Sequence, residues 1–162
     1  MNIYLLRHGQ AESHLSSDSS RQLTSTGRED ISLFARSFLT TSRTVDRCFV
    51  SPLARTQQTA EIFIKFANLN CALESEDRLR PENSALSVIR FLETLEEKNI
   101  LLIGHNPLLS ELFSLLTTGK TASIKVMAAG ELCCVCFDIF VTCLVICFFL
   151  HFCLKKHTHN NT

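Results

Sequence analysis

The sequence predicts an α/β fold: a mostly parallel sheet with helices on both faces, three layers in all. Three observations carry this. Short apolar runs of strand length alternate with segments of helical periodicity along most of the chain. The runs are continuously apolar, as strands buried on both faces are. Two of them, Ile3-Tyr4-Leu5-Leu6 and Ile100-Leu101-Leu102-Ile103, lead directly into Arg7-His8-Gly9 and Gly104-His105-Asn106-Pro107. In open α/β sheets the chemistry gathers just past the carboxyl ends of the strands.

Residues 2–7 read as the first strand. Thr24 and Thr26 are candidate caps for a helix with Ile31, Leu33, Phe34, Phe38 and Leu39 on one face. Arg47-Cys48-Phe49-Val50 is a second strand, ended by Ser51-Pro52, and a helix is expected from about Ala54 to Phe66. Ala72-Leu73-Glu74 suggests a short strand. Asn83 or Ser84 caps a further helix with Leu86, Ile89, Phe91, Leu92 and Leu95 inward. After the strand at 100–103, Pro107 suits the first turn of a helix from Leu108 to Leu116, which Thr117-Thr118-Gly119-Lys120 ends. Leu132 to Phe137 reads as the last strand.

The 162 residues suffice for one domain with its own core. Lysine plus arginine equals aspartate plus glutamate, so nothing suggests a nucleic-acid footprint. Met1-Asn2 enters the first strand with no basic n-region or cleavage site, which points to a cytoplasmic protein. Six of the eight cysteines crowd between Cys133 and Cys153, whereas a disulfide-stapled secreted domain spreads them along the chain. The expected domain is 1–138, and 139–162 is an anomalous tail. Its apolar run from Ile139 to Leu154 is somewhat shorter than the roughly 20 residues that span a bilayer. Three readings stay open for it: a core strand pair, a C-terminal membrane anchor, or an altered ending such as a frameshift leaves.

Two histidines at strand ends, one beside an arginine, suit phosphoryl chemistry. A phosphoryl group spreads up to two negative charges over three oxygens, and a site must neutralise them while placing a nucleophile in line. Guanidinium offers a permanently charged, bidentate fork. Neutral imidazole is a nucleophile near pH 7 and a good leaving group in turn.

Four segments resemble, in order, the motifs of the histidine phosphatase superfamily, whose fold is phosphoglycerate mutase-like. Leu6-Arg7-His8-Gly9 matches its N-terminal signature, Val50-Ser51-Pro52-x-x-Arg55-x-x-Gln58-Thr59 its second arginine motif, and Ile103-Gly104-His105-Asn106-Pro107 its second histidine motif. Asp18-x-x-Arg21-x-Leu23-Thr24-x-x-Gly27 is similar to the segment after the first strand in the small SixA-type phosphohistidine phosphatases. The resemblance covers residues 1 to about 137. It implies His8 as the nucleophile that becomes phosphorylated, Arg7 and Arg55 as the clamp on the phosphoryl oxygens, and His105 as a second donor. Arg21 is implied as a further basic position; Asp18 either orients it or caps a turn. No metal or other cofactor is implied. Glu82, just before a helix, is the candidate general acid, although a helix N-terminus favours the ionised carboxylate.

Only 49 residues separate Arg55 from His105, too few for the large helical insertion that covers the pocket in metabolite-specific members. An open mouth suits a phosphorylated protein side chain, so the implied partner is a phosphohistidine protein such as a histidine relay or phosphotransfer domain. The rival readings are a phosphatase of small phosphomonoesters and a catalytically impaired phosphate-binding adaptor. Two departures from the family stand out: Gln22 where proline usually follows Arg21, and the chain after Asp138.

Overall fold

The computed structural model describes residues 1–13, 20–121, 125–138 and 146–148. Among the described residues six strands and four helices follow one another as β1 (Asn2–Arg7), α1 (Ser25–Leu39), β2 (Arg47–Val50), α2 (Ala54–Phe66), β3 (Ala72–Ser75), α3 (Ala85–Leu92), β4 (Asn99–Gly104), α4 (Leu108–Thr118), β5 (Leu132–Asp138) and β6 (Ile146–Phe148). A single 3₁₀ turn, Asp77–Leu79, lies between β3 and α3. The sheet order is β3-β2-β4-β1-β5-β6. The first four strands in that order are parallel, and β5 and β6 close one edge antiparallel. β6 adds part of the expected tail to the sheet; the rest of 139–162 lies outside the described residues, as do His14 and Asp18. Among the described residues no helix is long and apolar enough to cross a membrane.

Alternation along the strands splits the core into two layers. Tyr4, Leu6, Cys48, Val50, Leu101 and Ile103 face α1 and α2, where Phe38 and Phe63 pack with ring centroids 5.3 Å apart. Ile3, Leu5, Phe49, Ile100 and Leu102 face α3 and α4. Burying the central strands on both faces is what their unbroken apolar sequence requires.

The helix ends follow their local chemistry. Thr24 caps α1, its hydroxyl accepting from the Gly27 amide, and Ser84 caps α3 in the same way from Leu86. Gly119 ends α4 in a left-handed conformation, its amide donating to the Leu115 carbonyl. The buried faces differ from the expected ones. On α1 they are Gly27, Ile31, Ala35 and Phe38, while Leu33 and Leu39 are exposed. On α3 they are Ala85, Val88 and Leu92, while Leu86 is exposed. Small residues form part of each stripe, a role that hydrophobicity alone does not reveal.

Candidate active site

Strand order and register bring the site together. β1 and β4 are parallel neighbours with Arg7 opposite Gly104, so the residues that follow, His8 and His105, leave the sheet side by side. The His8 amide donates to the Gly104 carbonyl at 3.1 Å, and the imidazole centroids are 5.0 Å apart. β2 flanks β4 on the other side with Val50 opposite Ile103, which sets Ser51 beside the same point. The Ser51 hydroxyl lies 2.9 Å from His105 Nε2, and both residues are buried. The Ser51-Pro52-Leu53 turn then delivers Arg55 into the first turn of α2, where it is only 4% exposed.

His8 has one ring nitrogen committed. Nδ1 lies 2.7 Å from the Gly9 carbonyl. A carbonyl only accepts, so Nδ1 carries the hydrogen and the neutral ring keeps its lone pair on Nε2. Burial pushes the His8 pKa down to about 4, and the guanidinium fields of Arg55, Arg7 and Arg21 push the same way. The hydrogen bond to Gly9 opposes them only in part. At neutral pH His8 is therefore an uncharged imidazole among cations. The Gly9 amide donates to Thr59 Oγ1 at 3.2 Å, and Thr59 donates to the Arg55 carbonyl at 2.7 Å. The loop after His8 is thereby tied to the turn that carries Arg55.

Arg7 Nη1 donates to the Met127 carbonyl at 2.6 Å. Burial lowers its pKa from the ordinary value, against the opposing field of Glu131. Arg21 Nε donates to the Glu12 carbonyl at 2.8 Å, and its charge reaches His8. Glu82 is exposed in the turn before α3 and makes no hydrogen bond or ion pair with the described residues. His8, His105, Arg7 and Arg55 thus converge with Arg21 at the rim. A set of guanidinium donors around two imidazoles suits a tetrahedral oxyanion. Sequence reasoning missed three supports: the Ser51 side chain, Thr59 and the Met127 carbonyl. Ser51 becomes visible once β2 is known to lie beside β4, whereas a backbone carbonyl has no signature in sequence.

Residues 3–84 match the model of the histidine phosphatase superfamily (branch 1). The phosphohistidine phosphatase SixA homolog of Haemophilus influenzae is 34% identical over 128 residues, covering 69% of this chain and 74% of that one. Phosphohistidine phosphatase SixA of Escherichia coli is 32% identical over 124 residues, covering 75% and 77%. The solved structure of the protein histidine phosphatase SixA with tungstate superposes with a TM-score of 0.79 at 28% identity, covering 85% of this chain and 89% of that one. The chain belongs to the histidine phosphatase superfamily.

Proposed function

We propose that this protein is a phosphatase that removes phosphoryl groups from histidine on other proteins, through a phosphohistidine formed transiently on His8. The His8 Nε2 lone pair attacks phosphorus in line with the departing group. The bond from phosphorus to the substrate nitrogen breaks, and its electron pair stays on the substrate imidazole. That ring leaves neutral when its other nitrogen already bears a proton. Water then attacks phosphorus, the bond to His8 Nε2 breaks, the pair returns to His8, and inorganic phosphate departs. Arg7, Arg55, His105 and Arg21 hold the phosphoryl oxygens, whose charge grows in the transition state.

The observation that carries this reading is the hydrogen bond from His8 Nδ1 to Gly9, which leaves Nε2 as the nucleophilic nitrogen. Kinship with the SixA proteins supports phosphohistidine as the substrate. A protein partner, such as a histidine relay or phosphotransfer domain, is supported by the short path from Arg55 to His105. It holds only the rest of α2, β3, one 3₁₀ turn, the eight-residue α3 and β4, with no large element to close over a small molecule. Residues 1–138 form the phosphatase domain in this reading. A cytoplasmic setting is supported by the free thiols Cys48, Cys71, Cys134 and Cys136.

The test is a comparison of kcat/KM on a phosphohistidine peptide with that on a panel of sugar phosphates. The expected preference for the peptide is at least about 100-fold, some 2.7 kcal/mol of transition-state binding. Preference for a sugar phosphate supports the small-molecule reading, and turnover of neither supports a phosphate-binding adaptor.

A further inference from the structure

A closed hydrogen-bond ring stands behind Arg7, and of its members only the Met127 carbonyl touches the site described above. Ser110 on α4 donates to Asn106 Oδ1 at 2.8 Å. The Met127 carbonyl can only accept, which fixes the amide orientation: Asn106 Nδ2 donates to it at 2.8 Å. The Met127 amide in turn donates to the Ser110 oxygen at 3.1 Å. Met127 is therefore held at its amide by Ser110, in the first turn of α4, and at its carbonyl by Asn106, just before that helix, and this carbonyl is the same one that accepts from Arg7 Nη1. Ser110 and Met127 are both buried. The strand side is fixed separately: Glu131 accepts from the Ala128 amide and pairs with Lys125.

We propose that Asn106 and Ser110 are positioning residues that set the Arg7 guanidinium through the Met127 carbonyl. Neither needs to touch the substrate. A carbonyl held by two donors has little freedom, and an arginine anchored to it presents its remaining N–H groups in one orientation. Loss of the Asn106 donor frees the carbonyl and, with it, the clamp, and a misplacement of about 1 Å can cost on the order of 100-fold in rate. The position after His105 is then selected for its amide. Aspartate there keeps an acceptor for Ser110 but sets a carboxylate against the Met127 carbonyl.

The inference rests on Arg7 acting as a phosphoryl clamp, and a double-mutant cycle separates the two claims. Inorganic phosphate affinity and kcat/KM on a phosphohistidine peptide are measured for the full-length protein, Arg7→Ala, Asn106→Ala and the double variant. The expected results are a loss of about tenfold or more in phosphate affinity for each single variant and no further loss in the double. Asn106→Asp should be weaker than Asn106→Ala. Unchanged phosphate affinity in Arg7→Ala would overturn the clamp itself. An Arg7→Ala loss with multiplicative effects in the double variant would overturn the positioning role alone, because damage to the fold costs the same whether or not Arg7 is present. Where Asn106→Ala does not fold, Ser110→Ala enters the same cycle with the same two outcomes.

Discussion

His8 is a histidine whose surroundings keep it neutral far below its usual range. Its pKa of about 4 comes first from burial and then from three guanidinium groups, and this depression has two consequences of known sign. The proposed attack needs the lone pair on Nε2 in the free protein. Corrected for ionisation of the substrate, kcat/KM should stay level from pH 7 to about 5 and fall tenfold per unit only below about 4. A rate still rising below pH 5, or an inflection near 6.5, would contradict the assignment. The second consequence concerns stability. Between pH 6.5 and about 4 the unfolded chain binds a proton at position 8 that the folded one refuses, so stability rises with pH across that window. Falling pH removes on the order of 3 kcal/mol, with the loss complete below pH 4. Denaturant titrations at pH 7 and pH 4 should show that loss diminished in His8→Gln.

At the scale of elements, the loop after His8 is fixed by how closely α1 approaches it. A Cβ on Gly27 would lie 2.1 Å from the Gln10 carbonyl oxygen, a distance no packing tolerates. That carbonyl also accepts from the Thr24 amide, so it cannot easily move away. Gly27→Ala should therefore destabilise the fold by about 2 kcal/mol or more, despite alanine's better helix propensity. It should also lower activity, because the displaced backbone begins two residues after His8. Equal or greater stability by denaturant titration would count against this packing. Here the sequence was legible in part. Thr24 as a cap, Ser84 as a cap and the end of α4 at Gly119 follow from side-chain chemistry acting within one turn. The inward faces of α1 and α3 do not, since Ala35 and Ala85 are buried by their fit to neighbours while Leu33 and Leu86 are left outside. Local hydrophobicity cannot rank a small residue that fits above a large one that does not.

For the whole molecule, the decisive feature is the order β2-β4-β1, which sets three strand ends in one row and with them Ser51, His105 and His8. The motifs that carry His8, Arg55 and His105 were legible because each is contiguous in sequence. Their juxtaposition, the bond from Ser51 to His105 and the Met127 anchor depend on pairings between distant segments, which no local pattern encodes. The same architecture leaves the site without a covering insertion between α2 and β4. It also leaves Glu82 exposed before α3, which bears on the leaving group. An imidazole departs without a new proton at its reacting nitrogen, whereas an alkoxide does not. Glu82→Gln should leave phosphohistidine turnover within about twofold and lower any residual phosphoester turnover by about tenfold or more. Equal losses on both substrates would make Glu82 part of the main reaction.

The most direct measurement is to quench the enzyme during turnover of a phosphohistidine substrate and locate any phosphate bound to the protein by peptide mapping under alkaline conditions. The account predicts acid-labile, alkali-stable phosphate on His8, formed and lost at rates that match turnover, and absent from His8→Ala. Normal product formation with no phosphate on His8, or with the group on another side chain, would contradict it.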